Sequence, residues 1–237
     1  MQINLVSCIF VLDSEKNVNI RKNDIKKIKV IIDDNNMLPI ISFNTKEIKD
    51  DVRNKISNLI GSNIFHLEQV LSVGKDNGID IIYLAITNIE NINNQLDKYK
   101  LVDFKVENNN TIIFNNNSYQ YKTIEKANYN NIEYYHDIKV NDEVIKRTLM
   151  YLITSYKRIR ANIDTTDIIF KFMPKTFTLE DIRIVYELIK DSKVDKSNFR
   201  KKIVKYCEKI DSINSNKTGY RPSQNYKFKP LKGDVWI

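Results

Sequence analysis

The segment Lys175–Phe228 constrains this chain most, because its local signals follow one another in an order that few folds share. Thr178 stands where an N-cap hydroxyl belongs, and Asp181 three residues later completes the spacing of a capping box. Phe177 before the cap and Ile182 after it are placed for a hydrophobic staple. Leu179, Ile182, Val185, Tyr186 and Ile189 then repeat at helical spacing, which predicts one buried stripe on a supporting helix. Asp195 offers the N-cap of a second helix. On it Phe199, Ile203, Tyr206 and Cys207 share one face, Ser197, Lys201, Lys205 and Glu208 the opposite one, and Asn198 and Arg200 the flanks, at ~100° per residue. A hairpin from about Ile210 to Phe228 follows, with turn chemistry over Asn214–Gly219 and alternation of Tyr226 and Phe228 with Lys227 and Lys229. Supporting helix, basic-faced helix and hairpin in that order spell a helix-turn-helix with a wing, a shape that sets one helix in a DNA groove.

Short polar groups and cations near a helix N-terminus suit base edges and phosphates. Ser197, Asn198, Arg200, Lys201 and Lys205 are therefore candidate DNA contacts, and Lys217 and Arg221 candidate phosphate contacts at or near the wing tip. A solvated helix face and a solvated loop carry the same residue types, so composition alone does not separate the two readings. Charge distribution does. Residues 1–142 hold 17 Lys/Arg against 19 Asp/Glu, whereas residues 143–237 hold 21 against 11. All of the net +8 thus lies with the C-terminal segment, which points to a polyanion partner rather than to solubility.

The rest of the chain reads as a mixed α/β layer structure. Leu5–Leu12, Lys29–Ile32, Phe65–Val73 and Ile79–Thr87 are expected strands, and Leu38–Phe43 is a further apolar run. Glu47–Ile60 is an amphipathic helix with Ile48, Val52, Ile56 and Leu59/Ile60 inside. Strands at Leu101–Val106, Thr111–Phe114 and Tyr119–Thr123 are separated by the turn-forming runs Asn108–Asn110 and Asn115–Asn117. Asp142–Arg160 predicts a long helix and Asp164–Phe172 a short one. No apolar run reaches the ~18 residues of a membrane span. Cys8 and Cys207 stand alone and belong to no Cys-x-x-Cys pair, which argues against a disulfide or zinc site and for a reducing, cytoplasmic setting.

The C-terminal residues also carry a resemblance. Met173-Pro174, Phe177-Thr178-Leu179, Val185-Tyr186-Glu187, Asn198-Phe199-Arg200-Lys201-Lys202 and Arg221-Pro222 follow the winged-helix pattern of the Nudix-related transcriptional regulator family. Over residues 5–90 the chain is similar to that family's Nudix-like domain at Leu38-Pro39, Glu47, Leu67-Glu68-Gln69 and Tyr83-Leu84-Ala85. Ile40 and Ile41 replace the two glycines that follow Leu-Pro in the pattern.

The resemblance implies an α+β chain: a degenerate Nudix-like α/β/α sandwich over 1–140, then a linker helix and winged helix over 141–237. It further implies double-stranded operator DNA and an effector such as an ADP-ribose-like nucleotide or a sugar, and because two half-sites need two readers the expected unit is a homodimer. A Nudix hydrolase needs Arg-Glu-x-x-Glu-Glu on its helix, whose carboxylates hold divalent metal. Aligned back from Gly61 with one residue deleted, that motif here reads Asn54-Lys55-Ile56-Ser57-Asn58-Leu59. Glu47, Asp50 and Asp51 sit where acids favour the helix dipole. The expectation is a regulator with no catalytic residue, metal or cofactor. A Nudix-type hydrolase with a basic appendage, and a winged helix docking on RNA or protein, are the rival readings.

Overall fold

The computed structural model describes residues 2–15, 25–43, 51–61, 63–92, 96, 98–128, 131–213 and 224–230. Its centre is β1 (Gln2–Glu15), which pairs in parallel with β5 (Gly78–Asn88) along one edge. Its other edge is shared by β3 (Ile40–Phe43) near the start and β2 (Ile25–Asp33) near the end, both antiparallel. The sheet continues beyond β5 to β4 (His66–Lys75) and beyond β2 through β6 (Tyr99–Glu107), β7 (Thr111–Phe114), β8 (Asn117–Asn128) and β9 (Asn131–Ile138).

The central strands read as continuous apolar runs because both of their faces are covered. Leu5, Ile9 and Val11 of β1 join Ile31, Ala85 and the inner residues Val52, Ile56 and Ile60 of α1 (Asp51–Ile60). The alternate residues Val6, Cys8, Phe10 and Leu12 join Leu149, Leu152, Ile153 and Tyr156 of α2 (Glu143–Asn162). The period of two along β1 therefore separates two cores, and one helix closes each. Phe10, Phe104 and Tyr156 form an aromatic cluster in the second core, with Phe104 edge-on to both and 5.5 Å from Tyr156. α2 is also anchored by polar ties: Tyr151 donates to the buried Asp80 at 3.2 Å and Thr148 donates to the Asn36 carbonyl at 2.9 Å.

Gly61 takes φ 58 and ends α1, a left-handed position that other residues enter at a cost. The expected start of that helix at Glu47 lies outside the described residues. Some expected strands were too short. β1 runs past the expected Leu12 to Glu15 and β2 begins at Ile25 rather than Lys29, and the added ends pair, with Asp13 opposite Lys27 and Lys29 Nζ 2.7 Å from Asp13. β8 runs on to Asn128 and pairs with β9, a strand that no sequence signal announced. The asparagine-rich turns do form: Asn115 and Asn116, φ 47 and 62, make the two-residue link from β7 to β8, and Asn108 and Asn109 take φ 51 and 57 between β6 and β7.

Candidate nucleic-acid interface

After α2 the chain makes a 3₁₀ turn, Asp167–Lys171, capped by the Thr166 side chain. The expected short helix over Asp164–Phe172 is thus a tighter and shorter element. Its Phe170 is the hub of the C-terminal module, stacked on Phe228 at 4.3 Å between ring centres and close to Phe177 at 5.9 Å and Tyr206 at 6.5 Å. α3 (Leu179–Lys190) starts with the expected capping box: Thr178 N–H donates to Asp181 Oδ2 at 2.9 Å, and Asp181 N–H donates to Thr178 Oγ1 at 3.1 Å. Ile182, Val185 and Ile189 bury the predicted stripe.

α4 (Lys196–Ile203) is capped by Asp195, whose side chain accepts from Asn198 N–H at 2.8 Å. Phe199 and Ile203 turn inward, and Phe199 meets Tyr186 of α3 at 5.2 Å. β10 (Cys207–Ile213) and β11 (Gln224–Phe228) form the wing strands. Tyr226 of β11 exchanges two backbone hydrogen bonds with Phe177, at 2.9 and 2.8 Å, so the entry to α3 adds a third rung to the wing.

Two carboxylates hold the helix pair. Glu187 is almost fully buried and accepts from Val194 N–H at 3.1 Å, from Lys193 Nζ at 3.0 Å and from the Arg183 guanidinium. Burial alone would raise its pKa, but those donors hold it below the ordinary glutamate value. It therefore stays charged and pins the turn between α3 and α4. Asp164 accepts from Lys190 Nζ at 2.8 Å, Lys202 Nζ at 2.9 Å and Tyr186 Oη at 2.8 Å. Burial again opposes ionisation, and hydrogen bonds from Lys190, Lys202 and Tyr186 override it, pushing the carboxyl well below the aspartate range. Lys202 is thus occupied in fixing the back of α4. Periodicity could not reveal either hub, because each joins residues that no repeat relates.

The candidate contacts fall as follows. Ser197, Asn198, Arg200 and Lys201 all lie exposed on α4. Their side chains make no hydrogen bond or ion pair among the described residues. Lys205 is exposed as well, but it stands on a 3₁₀ turn, Val204–Tyr206, with its ammonium 4.7 Å from the centre of the Tyr206 ring. The expected helical face ran too far here. Tyr206 lies beyond α4, Cys207 opens β10, and Glu208 sits on the wing strand 3.4 Å from Lys227. A 3₁₀ turn advances about 120° per residue, so helical register ends at Ile203. Lys217 and Arg221 lie outside the described residues.

Comparisons agree with this geometry. Residues 169–228 match the NrtR DNA-binding winged helix domain model. No curated protein matches the chain. Among solved structures, a MutT/nudix family protein from Enterococcus faecalis is similar with a TM-score of 0.62 at 14% identity, covering 96% of this chain and 86% of that one. NrtR from Shewanella oneidensis complexed with a 27mer DNA is similar with a TM-score of 0.59 at 11% identity, covering 96% and 94%. The DNA-free NrtR structure gives 0.58 at 11% identity over the same shares. The chain thus has the fold of these Nudix and NrtR structures, and its residues 169–228 match the NrtR DNA-binding winged helix domain.

Proposed function

We propose that this protein is a transcription regulator in which α4 reads an operator and the Nudix-like sandwich, residues 1–140, senses a metabolite rather than hydrolysing it. The observation that carries the DNA half is the exposed face of Ser197, Asn198, Arg200 and Lys201, whose two cations have no carboxylate to neutralise them among the described residues. Four other cations of the module are spent on structure: Lys202 and Lys190 on Asp164, Arg183 and Lys193 on Glu187. Ser197, Asn198 and Lys201 are assigned to base edges, Arg200 and Lys205 to the flanking phosphates, and Lys217 and Arg221 to phosphates met by the wing. Two half-sites require two readers, so the working unit is a homodimer.

Replacing Lys201 by alanine should weaken operator binding by about 1–3 kcal/mol while sparing random DNA. Replacing Lys205 should weaken both alike and lower the salt slope by about one unit. Fluorescence anisotropy on DNA selected by the purified protein, across a salt series, reads both. Two variants that bind like wild type at every salt concentration would reject α4 as the reader.

The sensing half rests on α1. From Val52 to Ile60 its sequence has no acid to hold a divalent cation, and Asp51 stands only at its first position. Arg53 is itself taken by the Ile64 carbonyl at 2.5 Å. An ADP-ribose-like nucleotide or a sugar is the effector class that the NrtR likeness suggests. Incubation with ADP-ribose and Mg²⁺ or Mn²⁺ should give no product above a heat-killed control. Turnover proportional to protein would establish the hydrolase reading instead.

A further inference from the structure

Among the described residues several half-buried cations, Lys26, Lys29, Lys171, Arg183 and Lys190, each meet a carboxylate. Lys157 and Arg160 do not. They lie three residues apart on α2 and so on one face of it. Lys157 Nζ donates to Thr123 Oγ1 of β8 and stands 5.2 Å from the centre of the Tyr121 ring. Arg160 donates to the Asn109 side-chain oxygen and to the Lys190 carbonyl. Two adjacent positive charges on one helix face thus have only neutral hydrogen-bond partners, which is costly without a counter-ion.

The surroundings are built for a negative group. The Tyr121 hydroxyl is buried with no hydrogen-bond partner among the described residues, a donor left over beside the two cations. His136 packs edge-on against Tyr121 at 5.9 Å, with Nδ1 3.3 Å from Thr123 Oγ1. Burial first, and Lys157 second, push its pKa down to about 4, so the imidazole is neutral at pH 7 and adds no third charge. Thr123 is exposed, so the cluster is open to solvent on that side. The C-terminal dipole of α2 accounts for a cation at Arg160. It does not account for Lys157, which reaches sideways to β8.

We propose that Lys157 and Arg160, with Thr123, Tyr121 and His136 around them, bind a phosphate group, free or carried on a small metabolite. Guanidinium and ammonium with hydroxyl donors match the several acceptor oxygens of that group. A duplex backbone fits less well, since its phosphates need side chains that project, and here the cations are half-buried and the hydroxyl fully so. The site also sits at a joint. Arg160 holds the carbonyl of Lys190 at the end of α3, and next to it Asp191 Oδ2 accepts from Asn108 N–H at 2.7 Å. A bound phosphate competes for that guanidinium and so acts on the seating of the supporting helix. This regulatory consequence, unlike the binding itself, rests on the DNA-reading function proposed above.

The test uses the full chain, whose only two histidines give an internal control. His66 lies apart on β4 beside Glu68. Inorganic phosphate and glucose 6-phosphate are titrated against chloride at constant ionic strength while both imidazoles are followed by NMR. Saturation should raise the His136 pKa and leave His66 unmoved, because the ligand screens Lys157. Tighter binding of the ester identifies a metabolite phosphate, and binding of inorganic phosphate alone identifies the free ion. Lys157→Met should weaken binding by about tenfold or more, and Lys157→Arg should retain it. No His136 response to either compound, or undiminished binding by Lys157→Met, overturns the proposal. So does a lowered DNA salt slope in Lys157→Met without phosphate binding to the wild type, which would make Lys157 a DNA contact. Should Lys157→Met fail to fold, the wild-type titration and Lys157→Arg decide. Phosphate binding is read without DNA, so its failure and that of the DNA-reading function remain separate results.

Discussion

Glu187→Ala is expected to lose about 3–5 kcal/mol of stability and all measurable operator binding. The carboxylate is almost fully buried and serves three donors: the Arg183 guanidinium, Lys193 Nζ and the Val194 backbone N–H. Lys193 is largely exposed and returns to water when the acid is removed. Arg183 and the Val194 N–H cannot, since Arg183 is only 11% exposed, and an orphaned buried donor costs more than the bond it made. Arg183 keeps Glu180, which softens the loss on that side. The turn from α3 to α4 keeps nothing of equal strength. Urea denaturation followed by circular dichroism gives the stability, and amide exchange shows whether the loss starts at residues 187–199. A variant within about 1 kcal/mol of wild type, with normal exchange there, would show that the carboxylate is not the fastening.

Phe170→Ala should cost a similar ~3–5 kcal/mol, by a different route. This ring joins its own 3₁₀ turn to the entry to α3, the turn after α4 and the second wing strand, through Phe177, Tyr206 and Phe228. Its removal leaves a cavity that those three rings must close by moving toward each other. The wing strand β11 is held by Phe228 on this ring and by the two backbone bonds between Tyr226 and Phe177. DNA affinity should therefore fall even where the module remains folded. Phe170→Leu, which keeps most of the volume, should lose much less. Equal losses for leucine and alanine in thermal melts would mean that aromatic stacking, not filled volume, sets the cost.

Much of this architecture was legible because it is local. The capping box of Thr178 and Asp181, the cap at Asp195 and the paired asparagine turns each depend on residues a few positions apart, and each formed where the spacing placed it. The exposed face of α4 followed from the inward pair Phe199 and Ile203 in the same way. What failed did so where a distant partner decided. Lys26 and Lys27 look like solvent-facing loop until Ser14 and Asp13 lie opposite them in β1. β9 carries too little apolar alternation to announce itself, and it exists because β8 offers a ladder. Asp164, an ordinary acid in sequence, becomes a hub only when Tyr186, Lys190 and Lys202 converge on it. The extension of the α4 face to Tyr206 and Cys207 failed for a local reason, a change from α to 3₁₀ winding.

The short link between β6 and β7 has a consequence for how the molecule can vary over time. Its residues Asn108 and Asn109 meet Asp191 and Arg160, the two groups that fasten the end of α3. The same three-residue turn also fixes the pairing of Glu107 with Thr111, and through β7 the pairing of β8. A residue gained or lost there would turn the alternating side chains of the hairpin to opposite faces and withdraw the seat of the reading module in one step. Length at this link therefore works as a gauge between sheet and reader, and it should stay fixed in functional variants while side chains around it drift.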